Sequence, residues 1–268
     1  MPKLSSFALG VSYCGADFHG WQYQNESLPT VQAELERALS EVAAEPIRVT
    51  CAGRTDSGVH ATNQVVNFQT AAKRPLKAWV MGTNANLPDT ISVNWSREVS
   101  DEFNARHSAR ARRYLYLINN NSVRSALFPK MLTREHRDLD VSSMHSAAQF
   151  LLGENDFTSF RAAHCQSKTA MRNIHHLNVR KVGDLIVIDV QANAFLLHMV
   201  RNIAGVLMDI GAGKKEIEWM SELLSLKDRS CGSVTGSPKG LYLVEVTYPD
   251  HKQIPAGPSL PHLLSVLG

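Results

Sequence analysis

Residues 50–62 read TCAGRTDSGVHAT: the end of one strand-like run, a turn bounded by Gly53 and Gly58, and the start of another strand-like run. Asp and Gly are ordinary turn formers, Asp because its side chain bonds nearby backbone N–H groups. What gives this turn weight is its place between predicted strands near 46–52 and 59–69, because it anchors the pattern on both sides. Upstream, Phe7, Leu9, Val11 and Tyr13 alternate with small or polar residues and predict a strand over 5–13. A loop carrying FHGWQ follows. Thr30 is then a fair N-cap for a helix with Val31, Leu35, Ala38, Leu39 and Val42 on one face. Downstream, a short helix around 76–84 leads past Pro88 to a strand with Ile91, Val93 and Trp95 on one side. The first half therefore reads β-α-β-β-α-β.

The second half repeats the order. A strand covers about 110–118, with Tyr114, Tyr116 and Ile118 alternating, and a helix runs from an Asp140 cap to a Gly153 stop. Residues 174–181 and 185–193 form a hairpin around Gly183-Asp184. Helices at 196–211 and 216–226 precede a Gly/Ser-rich loop and the last strand, LYLVEVTY. Two successive split β-α-β units predict an α+β chain of two ferredoxin-like (βαββαβ) lobes, with antiparallel sheets and helices on one face. The boundaries expected are 1–105 for the N-terminal lobe with the Asp loop, 106–250 for the C-terminal lobe, and 251–268 for a loosely attached tail.

A chain of 268 residues, 44% hydrophobic, can bury a full core. Cys14, Cys51, Cys165 and Cys231 are far apart with no C-x-x-C pair, which argues against a zinc knuckle or a redox dithiol and for a reducing, cytoplasmic setting. The N-terminus alternates like a strand and shows no export signal. The most apolar later run, 194–208, is broken by His198, Arg201 and Asn202, short of the roughly 18 clean residues a span needs. A water-soluble protein is expected. Net charge is only +3, yet residues 103–134 hold seven basic residues and no acid, and residues 161–181 hold five more, again without an acid. If the two segments share a face they would attract a polyanion. If acids from elsewhere in the chain meet them, they are solvated surface.

Four residue types carry possible chemistry. Asp56 sits at the tip between two strands, where reactive side chains are often placed, and a carboxylate is ionised at neutral pH and can serve as nucleophile or base. Its cation could be Arg54, otherwise a solvated turn residue, or Arg201, otherwise a snorkelling side chain at a helix edge. Tyr114, in ARRYLYLI, is either an inward strand residue, the commoner case, or a platform for a splayed base, an option that the preceding Arg110, Arg112 and Arg113 make more attractive. His60 and His198 read as satisfied core histidines. His175 and His176, adjacent on a strand, point to opposite faces and make poor joint ligands. No Walker A loop, Rossmann fingerprint, H-E-x-x-H or nucleophile elbow is present, so neither a nucleotide-driven nor a metal-driven reaction is indicated.

Taken in order, FHGWQ, GRTDSGVHATNQVVNF, ARRYLYLI, LLGENDFTSF, ANAFLLHMVRN and GLYLVEV resemble the landmarks of the tRNA pseudouridine synthase A family, over about residues 5–250. GRTDSGVHA is the most specific of them, with HMVRN in support. The resemblance implies a pseudouridine synthase fold with a positively charged cleft between the lobes, a homodimer, and no cofactor. It implies isomerisation of uridine to pseudouridine at positions 38, 39 and 40 of the tRNA anticodon stem-loop. It matches Asp56 to the essential aspartate, Arg201 to its basic partner, and Tyr114 to the aromatic that stacks on the target base. The carboxylate could attack C1′, take the 2′ proton or add to C6, and the sequence leaves these routes open. The alternatives weighed are a silent tRNA-binding protein or chaperone, a base-releasing glycosylase, and a purely structural duplicated module.

Overall fold

The structure is a computed structural model and describes residues 4–249 and 254–265. The chain is a mixed α+β protein built on mostly antiparallel sheet, and it forms two compact units. The first comprises Met1–Arg110 with Leu243–Leu260, and the second Ala111–Tyr242 with Pro261–Gly268.

The first unit runs β1 (Ser5–Tyr13), α1 (Val31–Ala43), β2 (Thr50–Cys51), β3 (His60–Thr70), α2 (Leu76–Asn86) and β4 (Ile91–Val99). β1 lies antiparallel between β4 and β3, and β2 pairs antiparallel with β3, the order of a split β-α-β pair. Thr30 caps α1 by accepting from the Ala33 N–H at 3.3 Å. Val31, Leu35, Ala38 and Leu39 are buried as the periodicity predicts, while Val42 is only half-buried. Phe7 of β1, Phe68 of β3 and Trp79 of α2 interlock with ring centroids 5.1–5.7 Å apart. Burying each such side chain is worth about 1.5–3 kcal/mol, so this cluster pins α2 to the sheet.

Two details differ from the pattern reading. The strand expected near 46–52 shrinks to Thr50–Cys51, because the Val49 N–H is taken by Glu36 Oε1 at 3.0 Å and the Ile47 N–H by Ser40 Oγ at 2.9 Å. Those donors serve α1 instead of a ladder. Trp95 does not share a side with Ile91 and Val93: a bulge pairs Gly10 with Trp95 but Val11 with Val93, putting Trp95 on the other face. Its indole then lies over Gly10, where an added Cβ would come within 2.0 Å of the ring.

The first unit is completed by β10 (Leu241–Thr247), which follows β3 in the strand order and has Leu243–Thr247 in this unit. The Arg110 N–H donates to Thr247 O at 2.7 Å, Tyr248 Oη to Ala105 O at 2.7 Å, and Tyr248 packs on Phe103 at 5.1 Å. Thr62 Oγ1 bonds the Ser259 carbonyl. The expected loose tail is thus well anchored over its described part, with Ile254 and Leu264 buried; its ends at His251 and Gly268 lie outside the described residues.

The second unit contains β5 (Ala111–Asn120), β6 (Thr133–Glu135), α3 (Val141–Gln149), β7 (Gly153–Asp156), β8 (Met171–Val182), β9 (Leu185–Ala192), α4 (Met199–Gly211), α5 (Trp219–Leu226) and the short α6 (His262–Ser265). Its strand order is β5-β9-β8-β7, with β6 parallel to β5. Asp140 caps α3 through the Ser142 and Ser143 N–H groups, and Gly183 turns the β8–β9 hairpin at φ +57°. Gly153 does not stop α3: the helix ends at Gln149, and Gly153, at φ +82°, opens β7. Neither β6 nor β7 was predicted. A bulge in β8 skips His175, leaving His176 paired across to Gln191.

No described helix is long and apolar enough to cross a membrane. No group of three or more His, Cys, Asp or Glu among the described residues could hold a metal ion.

Candidate active site

The Asp56 turn is fastened from three directions within the first unit. From β3, Gln64 donates through Nε2 to Gly53 O at 2.6 Å and accepts the Gly53 N–H at Oε1, 3.3 Å. From β1, Tyr13 Oη meets Thr55 Oγ1 at 2.9 Å, which draws Thr55 inward. From the FHGWQ loop, the Trp21 N–H donates to Thr55 O at 3.0 Å, and Ser57 Oγ donates to Phe18 O at 3.1 Å. The turn closes on itself where the Val59 N–H donates to Asp56 O at 3.1 Å, with Gly58 at φ +79° as that turn requires.

The FHGWQ loop reaches this position because Gly20 has no side chain. Gly20 sits at φ +85°, and a Cβ there would lie 2.8 Å from Thr55 O and 3.2 Å from the Asp56 carbonyl carbon. Behind it, Gly20 O and Trp21 O accept from Val31 and Gln32 at the start of α1. Trp21 is buried against Tyr13 at 5.8 Å. Asp56 is left half-buried at the tip with Arg54 exposed beside it. Burial pushes the nearby Cys51 thiol up to about 11, although Arg54 and Arg106 pull it down. His60 is a structural residue: its Nδ1 accepts the Gly15 N–H at 3.2 Å, and it is 1% exposed.

Arg201 is oriented within the second unit. Of the thirteen residues of α4, twelve are buried and Arg201 alone is half-exposed. Its Nε donates to Gly236 O at 2.8 Å, while its own carbonyl accepts the Gly236 N–H at 2.9 Å. The neighbouring Asn202 is locked by three bonds, donating to Phe160 O at 2.8 Å and accepting from Thr235 Oγ1 at 2.7 Å and Arg229 Nη2 at 3.1 Å. The 232–236 loop can lie this close to α4 because Gly205 has no Cβ; one would fall 2.1 Å from Val234 O. Gly236 in turn sits against Tyr116, whose hydroxyl burial pushes up to about 12.

Tyr114 and Arg112 lie on one face of β5 and Arg113 on the other. Tyr114 is 8% exposed and meets Phe195 edge-on, at 5.1 Å and 86°. Arg112 Nη1 donates to Asn193 O at 3.2 Å. Arg113 already grips a carboxylate: its fork bonds Asp189 at 2.8 and 2.6 Å, and His176 Nε2 joins the same carboxylate at 2.9 Å. The acid-free segment around Arg113 thus meets an acid 76 residues away. Arg110 is exposed, in the first unit. Sequence reading missed the supports: Gln64, Tyr13 and Gly20 behind Asp56, and Gly236, Asn202 and Arg229 behind Arg201. Only the glycines carried a signal.

The geometry therefore offers a carboxylate on a braced turn, a guanidinium bonded to a backbone carbonyl, and an aromatic ring with an edge-on neighbour. A sequence model of the family described as tRNA pseudouridine synthase matches residues 10–108 and 147–249. The chain belongs to that family. Among members of the tRNA pseudouridine synthase family, tRNA pseudouridine synthase A of Shewanella frigidimarina is 55% identical over 248 residues, covering 92% of this chain and 95% of the relative. That of Pseudomonas aeruginosa is 55% identical over 264 residues, covering 98% and 93%. That of Mannheimia succiniciproducens is 56% identical over 258 residues, covering 96% and 98%. Among solved structures, a chain of an H/ACA RNP bound to a substrate RNA containing 2′-deoxyuridine aligns at a TM-score of 0.40 and 11% identity. This chain is 91% covered in that alignment and spans 50% of the other.

Proposed function

We propose that this pseudouridine synthase isomerises uridine to pseudouridine at positions 38, 39 and 40 of the tRNA anticodon stem-loop, with Asp56 as the carboxylate that opens the glycosidic bond. The observation that carries the assignment is the bracing of the Asp56 turn by Gln64, Tyr13 and Trp21. A reacting group held to within a fraction of an ångström is what positional catalysis needs.

The reaction conserves atoms. The N1–C1′ bond breaks, the uracil turns, C5 joins C1′, the C5 proton leaves to solvent and N1 takes up a proton. Asp56 assists the first step beside the ribose. The detached base must be kept from escaping, a task that suits the Tyr114 ring with Phe195 behind it. Arg201, steered by Gly236, serves as the basic partner of that carboxylate. The target nucleotide must leave its stack before C1′ and C5 can be reached. Arg54, Arg110 and Arg112 are suited to phosphate contacts, and Arg113 acts through the strand it stiffens with Asp189. We propose further that the enzyme works as a cytoplasmic homodimer without a cofactor; light scattering should return the mass of two chains.

Anticodon stem-loop RNA tritiated at C5 of uridine tests the assignment. Wild type should release tritium to water, and Asp56→Ala should release none while still binding the RNA. Binding without release by the wild type, across several tRNAs, would leave only an RNA-binding protein. Free uracil in the supernatant would indicate a glycosylase.

A further inference from the structure

Tyr116 stands two residues beyond Tyr114 on β5, so the two side chains leave the strand on the same face. It is 0% exposed, and its hydroxyl is used twice: it accepts from Thr133 Oγ1 of β6 at 2.9 Å and donates to Ser237 O at 2.9 Å. A phenol has one proton to give, and here it is committed to the loop that follows Cys231. Ser237 adjoins Gly236, the residue that exchanges two bonds with Arg201, its N–H donating to Arg201 O at 2.9 Å and its carbonyl accepting from Arg201 Nε at 2.8 Å. The tyrosine ring fills the space beside Gly236, where an added Cβ would lie 3.3 Å from Cζ.

The same loop is held independently from α4. Arg229 Nη2 donates to Ser233 O and to Thr235 Oγ1, each at 3.0 Å, and Thr235 Oγ1 passes its own proton to Asn202, the neighbour of Arg201. Beyond Ser237 the chain stays against β5, since a Cβ on Gly240 would fall 2.3 Å from Leu117 O. The 232–237 segment is therefore clamped from α4 on one side and from β5 on the other, and Arg201 is bonded to the residue between the clamps. Arg201 also acts on the tyrosine: burial carries the Tyr116 hydroxyl up to about 12, and the Arg201 charge pulls against that rise. The hydroxyl keeps its proton at neutral pH and remains a donor.

We propose that Tyr116 is a positioning residue for the isomerisation, its hydroxyl setting the Arg201 guanidinium in place through Ser237 and Gly236. One strand then carries both the ring that holds the base and the anchor of the loop that holds the arginine. The assignment rests on the function proposed above, because Arg201 takes its role from that reading.

The test combines steady-state kinetics on the stem-loop RNA with amide hydrogen exchange. Tyr116→Phe keeps the ring and removes the proton given to Ser237 O. Its kcat for tritium release should fall about tenfold with KM unchanged within about twofold, as expected when an interaction made in the transition state is lost. Thr133→Val is the control for stability alone: it takes a bond from the same hydroxyl but leaves the Ser237 bond, so it should lower the melting temperature and leave kcat within about twofold of wild type. Thr235→Val loosens the loop from the α4 side and should lower kcat as Tyr116→Phe does. The Gly236 N–H should exchange faster in Tyr116→Phe than in Thr133→Val, a readout that needs no turnover. Unchanged kcat in Tyr116→Phe or in Thr235→Val, or equal losses in Tyr116→Phe and Thr133→Val, overturns the positioning role. Equal Gly236 exchange in Tyr116→Phe and Thr133→Val overturns the link to Arg201. A wild type that releases no tritium refutes the proposed function instead, and the exchange rates then decide the coupling of Tyr116 to Gly236 by themselves.

Discussion

The carboxamide of Gln64 holds Gly53 by both of its backbone polar groups, donating to the carbonyl at 2.6 Å and accepting from the N–H at 3.3 Å. Gln64 is 0% exposed, so an amide is fitted to a backbone pair as a neighbouring strand would be. Replacing it with Leu strands both groups at a cost of about 1–3 kcal/mol. Gln64→Leu should lower the melting temperature and reduce tritium release roughly 10- to 100-fold, as expected for a slightly misplaced carboxylate. A lower melting temperature with unchanged turnover would show that the bracing stabilises without positioning.

Gly236→Ala should act on Arg201 from a distance. The added Cβ would lie 2.7 Å from Tyr116 Oη and 3.0 Å from Arg201 O, so the loop must retreat and the Arg201 Nε bond lengthen. Gly213→Ala is the control, with φ +68° and nothing within 4 Å, and should cost only about 1–2 kcal/mol of stability. Steady-state kinetics should show kcat falling in Gly236→Ala alone; equal losses in both would count against a positioning role.

Acid sensitivity should come in part from Asp189. Burial alone would raise its carboxyl, but Arg113 and His176 hold it below the usual range. A carboxyl lowered on folding stabilises above its unfolded value, roughly pH 4, and that contribution is lost as pH falls through the folded value. Asp189→Asn should therefore cost about 1.5–3 kcal/mol at neutral pH, and the gap from wild type should narrow on acidification. Urea unfolding across a pH series reads this directly, and a gap that stays constant would assign the cost to shape instead of charge.

Phe195 is expected to set how firmly Tyr114 is held. An edge-on aromatic pair contributes about 0.5–1.5 kcal/mol beyond burial. Phe195→Leu should keep the fold and slow tritium release by roughly 2- to 13-fold on that scale. Unchanged kinetics would mean that Tyr114 needs no help from its neighbour.

Local chemistry was legible in the sequence. The Thr30 and Asp140 caps, the Gly183 hairpin and the strands β1 and β5 each depend on a few adjacent residues, and each is found, although both strands are buried on their two faces and do not alternate in burial. The Asp56 turn was legible for the same reason. Features set by partners far along the chain were not. Trp95 changes faces because of a bulge against Gly10, 85 positions away. The β2 strand is short because Glu36 and Ser40 take its neighbours' N–H groups. Arg113 looked ready for RNA because Asp189 is a strand away in space but remote in sequence. The braces behind Asp56 and Arg201 belong to the same class: a glutamine and an asparagine announce nothing until the fold brings a backbone group to them.

The return of β10 to the first unit has a consequence for how the protein is made. Residues 243–260 supply the Thr247 acceptor for Arg110, the Tyr248 ring for Phe103 and the Ser259 acceptor for Thr62. During translation the N-terminal 110 residues emerge first, but they wait for these contacts until almost the whole chain has left the ribosome. The second unit, whose residues 111–242 are contiguous, can complete most of its structure earlier, against the usual N-terminal-first order. A nascent chain arrested at residue 242 should accordingly show its protease-sensitive sites in the half that was synthesised first.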